Sequence, residues 1–484
     1  MLFLFHPFVP ETLWVKEVPN SANRLQDAMS NSKQQQEVQT PNNLSNEPVQ
    51  TEDNVKKGRN TLFTKVSLCV ATVLPPGGIA ASAFNMASTT IGAGIFGMPP
   101  AANSTGLIMG MFYLIFISSV TVFTMHNLSV AADRSGAPTS ERATRALLGR
   151  GAAYVLAGIR ALLGFSGCVA YVISVGDILS AILKGTNAPD FLKEKSGNRL
   201  LMAVVWACFM LPLTIPRHID SLRYVSTFAV TFMVYFVIVI VVHSCMNGLS
   251  ENIKNVSVTK SEDAEIILFN SGFQAIEGMG VFMFAFISQI TAYEVYIDMK
   301  DRSVRKFVIA AIIANTLCCI MYIITAFFGY MDYGKTATSS ILLMYDPVKE
   351  PAVMVGMIGV VIKLCVSYAL VAMACRNALY DVVGKTADSL PFWKHCVSVI
   401  TLSFLVLLLS IFIPKITTVF GIAGSVCGGS LGFVFPALLI MYSGGFTWQK
   451  VGPLYYITTY VVLLCGVFLI VFGTGSTILD TVRG

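Results

Sequence analysis

The sequence predicts an all-α integral membrane protein of eleven transmembrane helices. Three observations carry this reading: an extreme apolar composition, eleven apolar segments of bilayer-crossing length, and a glycine-rich interruption inside the first of them. Of the 484 residues, 55% are apolar and 12% charged, with a mean hydropathy of +0.69. Soluble domains carry about 25% charged residues. The net charge of +6 is modest and spread among connecting loops, so it reports topology and not a nucleic-acid partner.

A crossing helix needs about twenty apolar residues. Such segments lie at 78–102, 105–130, 152–183, 199–215, 223–247, 272–298, 307–330, 352–379, 396–413, 416–442 and 454–473. Residues 75–473 therefore form the transmembrane domain, and 474–484 a short C-terminal extension. The ninth and tenth spans are separated only by Ile413, Pro414 and Lys415, which demands a tight turn. Ahead of the domain, residues 1–10 are apolar but lack a basic n-region, a long h-region and a small-residue cleavage site, so they are not read as a signal peptide. Residues 21–60, rich in Gln, Asn, Ser and Glu, cannot bury enough apolar surface to offset their ordering entropy, and 1–74 reads as a largely disordered cytoplasmic tail.

Basic residues set the orientation. Eighteen lie just before span 1 (Lys56, Lys57, Arg59 and Lys65) or in the even-numbered connections, among them Arg134, Arg142, Arg302 and Lys450, against about ten on the opposite face. The positive-inside rule then puts the N-terminus in the cytoplasm and, with an odd number of spans, the C-terminus outside. Asn255-Val256-Ser257 becomes an external glycosylation sequon, whereas Asn127-Leu128-Ser129 is cytoplasmic and silent. The plasma membrane is the default address, with an acidic organelle as the alternative.

Cys168, Cys208, Cys318, Cys319 and Cys365 fall inside spans and read as small packing residues. His126, His218, His243 and His395 show no ligand spacing, so neither a metal nor a cofactor is expected. Two GxxxG pairs, Gly106 with Gly110 and Gly428 with Gly432, read as close helix contacts.

The first span contains Thr89-Thr90-Ile91-Gly92-Ala93-Gly94-Ile95-Phe96-Gly97-Met98-Pro99-Pro100. Hydrocarbon offers nothing to hydrogen-bond with, so a backbone broken there must line a cavity. An unwound segment of this kind presents amides to a carboxylate and carbonyls to an ammonium or a cation. That is what a permease for zwitterions requires. The same residues match the GxGxxG dinucleotide fingerprint, yet the strand, helix and acidic residue that would confirm it are missing. If the architecture is an inverted repeat, span 6 should carry a matching interruption. It holds Gly272, Gly278 and Gly280 ahead of a Phe-rich stretch, and symmetry places the break near 284–288.

The stretch Phe84-Asn85-Met86-Ala87-Ser88-Thr89-Thr90-Ile91-Gly92-Ala93-Gly94-Ile95, the eleven spans with an internal N-terminus, and Arg376-Asn377 closing span 8 together resemble the amino acid/auxin permease family. That family is part of the amino acid-polyamine-organocation superfamily, and the first span is most similar to kinetoplastid amino acid permeases. The resemblance implies a LeuT-type 5+5 inverted repeat with broken helices 1 and 6, and secondary active amino acid transport driven by protons or sodium. Carried over by residue, it implies that Ser88, Thr89, Thr90, Gly92, Ala93 and Gly94 hold the substrate's backbone groups, opposite Phe284, Ala285 and Ser288. It also implies a side-chain pocket lined by spans 3, 6 and 8, for which Phe165, Tyr171, Phe284 and Tyr368 are candidates, with plain aromatic packing as the alternative. Sodium-coupled animal members often have an asparagine where Ser88 stands and use a hydroxyl corresponding to Ser367. This chain keeps the hydroxyl but lacks the amide, which favours proton coupling.

A charge at the membrane centre costs about 2.5–3.5 kcal/mol on the translocon scale, so Arg160, Asp177, Glu277 and Lys363 each need an explanation. Lys363 lies one turn before Ser367 on the same face. It stands in for the coupling cation, pairs with Glu277, or belongs to a structural ion pair. Glu277 has three roles open to it: the proton-coupling carboxylate, the acceptor of a substrate's cationic side chain, or a structural hydrogen bond. Asp177, nearer the outer end of span 3, reads as gating or snorkelling, and Arg160 as a snorkelling stem.

The expectation is thus a proton-coupled amino acid importer in a lipid bilayer, tilted toward arginine and lysine by Glu277 and Asp177. A neutral permease, or a sodium-coupled or organellar transporter, is the alternative. A channel would show a filter motif or rings of like charge, and an enzyme a clustered catalytic set; neither is visible.

Overall fold

The computed structural model describes residues 77–483 apart from 187–188, 217–219, 260–263, 383–389 and 414. The tail expected over 1–74 and the turn residue Pro414 lie outside the described residues. Span 1 divides into α1 (Ile79–Thr90), a 3-10 turn (Ala93–Gly97) and α2 (Met98–Thr105), with a 52° bend at the glycine triplet. Pro99 and Pro100 open α2, where a missing N–H leaves nothing unpaired.

Span 2 is α3 (Leu107–Ser135). A short α4 (Ser140–Leu147), N-capped by Thr139, leads into α5 (Arg150–Lys184), which is span 3. Span 4 is α6 (Lys195–Val205) continued through a π turn at Trp206–Met210, and span 5 is α7 (Asp220–Met246). The connection after α7 holds a two-residue parallel pairing of β1 (Val256–Ser257) with β2 (Ile266–Ile267).

Span 6 is interrupted between α8 (Phe273–Phe286) and α9 (Gln289–Asp298), within the interval that symmetry indicated. Then come α10 (Val304–Tyr333), α11 (Pro351–Val382) and α12 (Phe392–Phe412), spans 7 to 9. Span 10 comprises α13 (Ile416–Ala423), a long π segment (Gly424–Val434) and α14 (Phe435–Tyr442). Span 11 is α15 (Pro453–Phe468), continued through Leu469–Gly473 into α16 (Thr474–Arg483), so helix runs through the C-terminal extension.

Among the described residues, nine helices are long and apolar enough to cross a bilayer, and ten when the bent pair of span 1 counts as one. The expected fifth span coincides with α7, whose described apolar stretch is Val230–Met246. Spans 3, 6, 7, 8 and 10 are mostly buried, whereas spans 4, 9 and 11 are one-third buried or less. The peripheral spans show Phe209, Phe404 and Leu464 outward, as lipid contact requires.

The two broken spans lie at the centre and run past each other in opposite directions. α8 packs along α2, and α9 along α1. At their crossing a methyl on Gly94 would stand 2.8 Å from the Ala285 Cβ and 3.0 Å from its Cα. On the other side of span 6, a Cβ on Gly424 would collide with the Gly280 carbonyl oxygen. Gly428 and Gly432 face Met283 and Gln289 of span 6, as a helix contact. Gly106 is different: with φ +87° and the Leu268 carbonyl 2.7 Å from where its Cβ would sit, it makes the turn between α2 and α3. It is no helix contact, because the chain reverses there before the second glycine of the pair.

At the ends of spans 5, 7 and 8 away from Lys300 and Arg302, His243 Nδ1 lies 2.6 Å from Asp332 Oδ2 and Nε2 lies 3.0 Å from Glu350 Oε1. Only the imidazolium has two N–H donors, so this geometry holds a charged histidine between two carboxylates. The Tyr345 ring packs edge-on against it at 4.8 Å. Removing one partner from a buried pair strands the other charge, so His243→Ala should cost about 3 kcal/mol, read as a lower Tm of the detergent-purified protein. Gly94→Ala should cost about 2 kcal/mol through overpacking against Ala285. Gly151→Ala, whose added methyl meets nothing within 4 Å, should leave the Tm unchanged or raise it in the same assay.

Candidate functional site

A helix leaves its last four carbonyls without intrahelical partners. In α1 these belong to Ala87, Ser88, Thr89 and Thr90. The Ala87 carbonyl accepts from the Ile91 N–H at 2.9 Å. Lys363 Nζ, on α11, lies 3.4 Å from the Ser88 carbonyl, and the Tyr322 hydroxyl, on α10, lies 2.9 Å from that of Thr90. Lys363 is 2% exposed. A cation against the C-terminal end of a half-helix is favoured by the helix dipole.

The hydroxyls of the first break are turned inward. Ser88 donates to Asn85 O at 3.0 Å, Thr89 to Met86 O at 2.9 Å, and Thr90 to Met86 O at 2.7 Å. What Ser88, Thr89 and Thr90 offer a ligand is therefore backbone. Beyond the break, Gly92, Ala93 and Gly94 open a new helical turn, whose first N–H groups have no partner within it.

Tyr171 of α5 reaches the same place. A Cβ on Gly92 would stand 3.2 Å from its hydroxyl oxygen, and that hydroxyl also faces Ser367. Ser88, Gly92, Tyr171, Lys363 and Ser367 thus form one neighbourhood built from spans 1, 3 and 8.

The second break completes the site. Ala285 abuts Gly94, and its carbonyl lies 3.0 Å from the Tyr322 hydroxyl. The Ser288 N–H donates to Gln289 Oε1 at 3.1 Å, and the Ser288 hydroxyl to Phe286 O at 3.3 Å. Gln289 in turn reaches Thr124 Oγ1 of span 2 at 3.4 Å. This break has no glycine because side chains cap it.

Other expected residues lie elsewhere. Phe284 stacks on Phe420 of span 10 with ring centroids 4.8 Å apart. Tyr368, fully buried, has its hydroxyl 3.2 Å from Trp206 Nε1 of span 4, directed away from the breaks. Phe165 packs against Ala161, Cys375 and Ala378. Asp177 sits beside Ser340 and Lys184, toward the end of α5. Glu277 precedes Ala285 by eight residues, about 12 Å of helical rise, so it stands off from the crossing.

Arg160 is not a snorkelling stem. Its guanidinium pairs with Glu141 and, at 2.6 Å, with Glu294. It therefore ties α4 and α9 to α5 instead of neutralising Asp177 or Glu277. Sequence reasoning missed Tyr322 and Gln289. Tyr322 is uncharged within an apolar run and carries no local signal, whereas Gln289, a lone amide beside the expected break, was the available clue.

Comparison with known proteins agrees with this geometry. A solved structure of MhsT in complex with L-phenylalanine, a LeuT-type fold, superposes with a TM-score of 0.50 at 15% identity, covering 83% of this chain and 97% of that one. The vacuolar amino acid transporter 5 of Schizosaccharomyces pombe is 26% identical over 379 residues, 75% of this chain and 84% of the relative. The sodium-coupled neutral amino acid symporter 2 of Danio rerio is 24% identical over 375 residues, 74% and 73% of the two chains. The family model described as transmembrane amino acid transporter protein matches residues 76–479. With two broken helices crossing at a polar centre and that match spanning most of its length, the chain belongs to the transmembrane amino acid transporter family.

Proposed function

We propose that this protein is a proton-coupled, sodium-independent secondary transporter that imports amino acids. It has eleven spans, a cytoplasmic N-terminus and an outer C-terminus, and is no enzyme. The observation that carries the reading is Lys363 Nζ against the Ser88 carbonyl, one turn from Ser367. An ammonium beside released carbonyls does what a bound sodium ion would do, and leaves that ion no vacant charge to fill. The lack of an asparagine at Ser88 points the same way. The substrate's carboxylate is received by the N–H groups of Gly92, Ala93 and Gly94, and its ammonium by the lone pairs that Tyr322 leaves open on the carbonyls of the Thr90 and Ala285 ends. Tyr171 lies closest to where a side chain would project; Phe165, Phe284 and Tyr368 shape the walls from a distance.

Asp177 and Glu277 tilt the substrate toward arginine or lysine, and they are the carboxylates left to carry protons, since Arg160 is engaged elsewhere. A neutral substrate is the second reading, supported by the zebrafish relative's name. The plasma membrane is the proposed address; the name of the fission-yeast relative supports an acidic organelle as the second reading. The first-span motif also groups the chain with kinetoplastid permeases.

Uptake of labelled arginine into cells lacking their own carrier should persist when choline replaces external sodium and should collapse with the proton gradient. Sodium dependence would overturn the coupling reading, and failure of excess arginine and lysine to displace a transported neutral amino acid would overturn the substrate reading. Lys363→Ala should abolish or render sodium-dependent the uptake of normally expressed protein, while Glu277→Gln or Asp177→Asn should flatten its pH profile if that group carries the proton. Asn255→Gln should remove an endoglycosidase-sensitive mass in a eukaryotic host; an unshifted wild-type band would count against the orientation.

A further inference from the structure

Two helix ends of like polarity meet at Tyr322. α1 ends at Thr90 and α8 at Phe286, and the C-terminus of each carries about half a negative charge. The Thr90 and Ala285 carbonyl oxygens both lie within 3.0 Å of one phenolic oxygen, hence within about 6 Å of each other. Tyr322 is fully buried, and its ring is held edge-on by Phe286 at 5.1 Å. Among the described residues neither carbonyl accepts a main-chain hydrogen bond across its break, and the site is buried. Left alone, the two ends would repel across a medium of low dielectric.

The general solution to converging half-helix C-termini is a monovalent cation. Here a neutral O–H stands between them. A phenol supplies one proton, shared between two acceptors, and brings no net charge. It needs neither capture from solution nor release at each turn of a transport cycle.

We propose that the Tyr322 hydroxyl is a built-in substitute for a monovalent cation, joining the C-terminal ends of the broken helices 1 and 6 so that this junction needs no ion. Tyr322 is a positioning residue: it fixes where the Thr90 and Ala285 carbonyls point. The inference rests on the transport reading above, and it is distinct from the role given to Lys363, which faces the Ser88 carbonyl and not those of Thr90 and Ala285.

The test compares wild type, Tyr322→Phe and Tyr322→Gln in proteoliposomes, with uptake and melting temperature measured in sodium, lithium and choline chloride. Loss of the Tyr322 donor strands two buried acceptors, so Tyr322→Phe should lose at least about tenfold of its uptake in choline. It should recover in sodium or lithium, and its melting temperature should rise with either ion. Tyr322→Gln, which restores a donor, should be indifferent to the cation, as should wild type. A merely structural role would depress Tyr322→Phe equally in all three media, and that result overturns the proposal. Wild-type activity of Tyr322→Phe in choline overturns it as well, as does failure to recover the folded variant in any of the three salts. If wild type itself requires sodium, the coupling reading above falls, and the Tyr322 inference is judged on the additional requirement of the variant over wild type.

Discussion

The structure depends on one constraint: inside a bilayer every peptide group must be satisfied by protein, water or ligand. Breaking a helix at mid-membrane releases carbonyls and amides that hydrocarbon cannot accept. This chain breaks two, and places the breaks against each other with helices on all sides. Released groups find partners close by: the Ser88 carbonyl from span 8, those of Thr90 and Ala285 from span 7, and the Ser288 N–H from the adjoining Gln289 side chain. The centre of the molecule is polar because its backbone is open there, and the surrounding spans are ordered by the need to enclose it.

Much of this was legible in the sequence. Span positions follow from hydropathy, which measures the same free energy that buries the helices in lipid. The first break was legible because glycine is what a chain needs where any β-carbon would come within 3 Å of a neighbour, as one on Gly94 would of Ala285. The second was located only by symmetry. Its capping comes from side chains of ordinary appearance, Ser288 and Gln289, and no glycine marks it. Lys363 was found because a charge in an apolar run is expensive and therefore conspicuous.

The remainder was hidden for physical reasons. Tyr322 looks like any core aromatic, since only the direction of its hydroxyl distinguishes it, and direction is a property of packing. Arg160 was misread because its partners, Glu141 and Glu294, lie on other helices. Tyr368 and Phe165 sit on suitable spans, but each turns toward a different neighbour, Trp206 in one case and Cys375 in the other. The π segment in span 10 left no trace in the periodicity, because Gly, Ser and Cys supply seven of its eleven residues.

The meeting of spans 6 and 10 at Gly280 and Gly424 is main chain on main chain. Side chains elsewhere can change rotamer to absorb a displacement, but bare peptide has no such give. Sliding one strand of this seam along the other would drive a carbonyl into a neighbouring α-carbon. Whatever rearrangement carries cargo from one side to the other, these two segments travel as a welded unit, and the flexing is left to their less tightly joined neighbours.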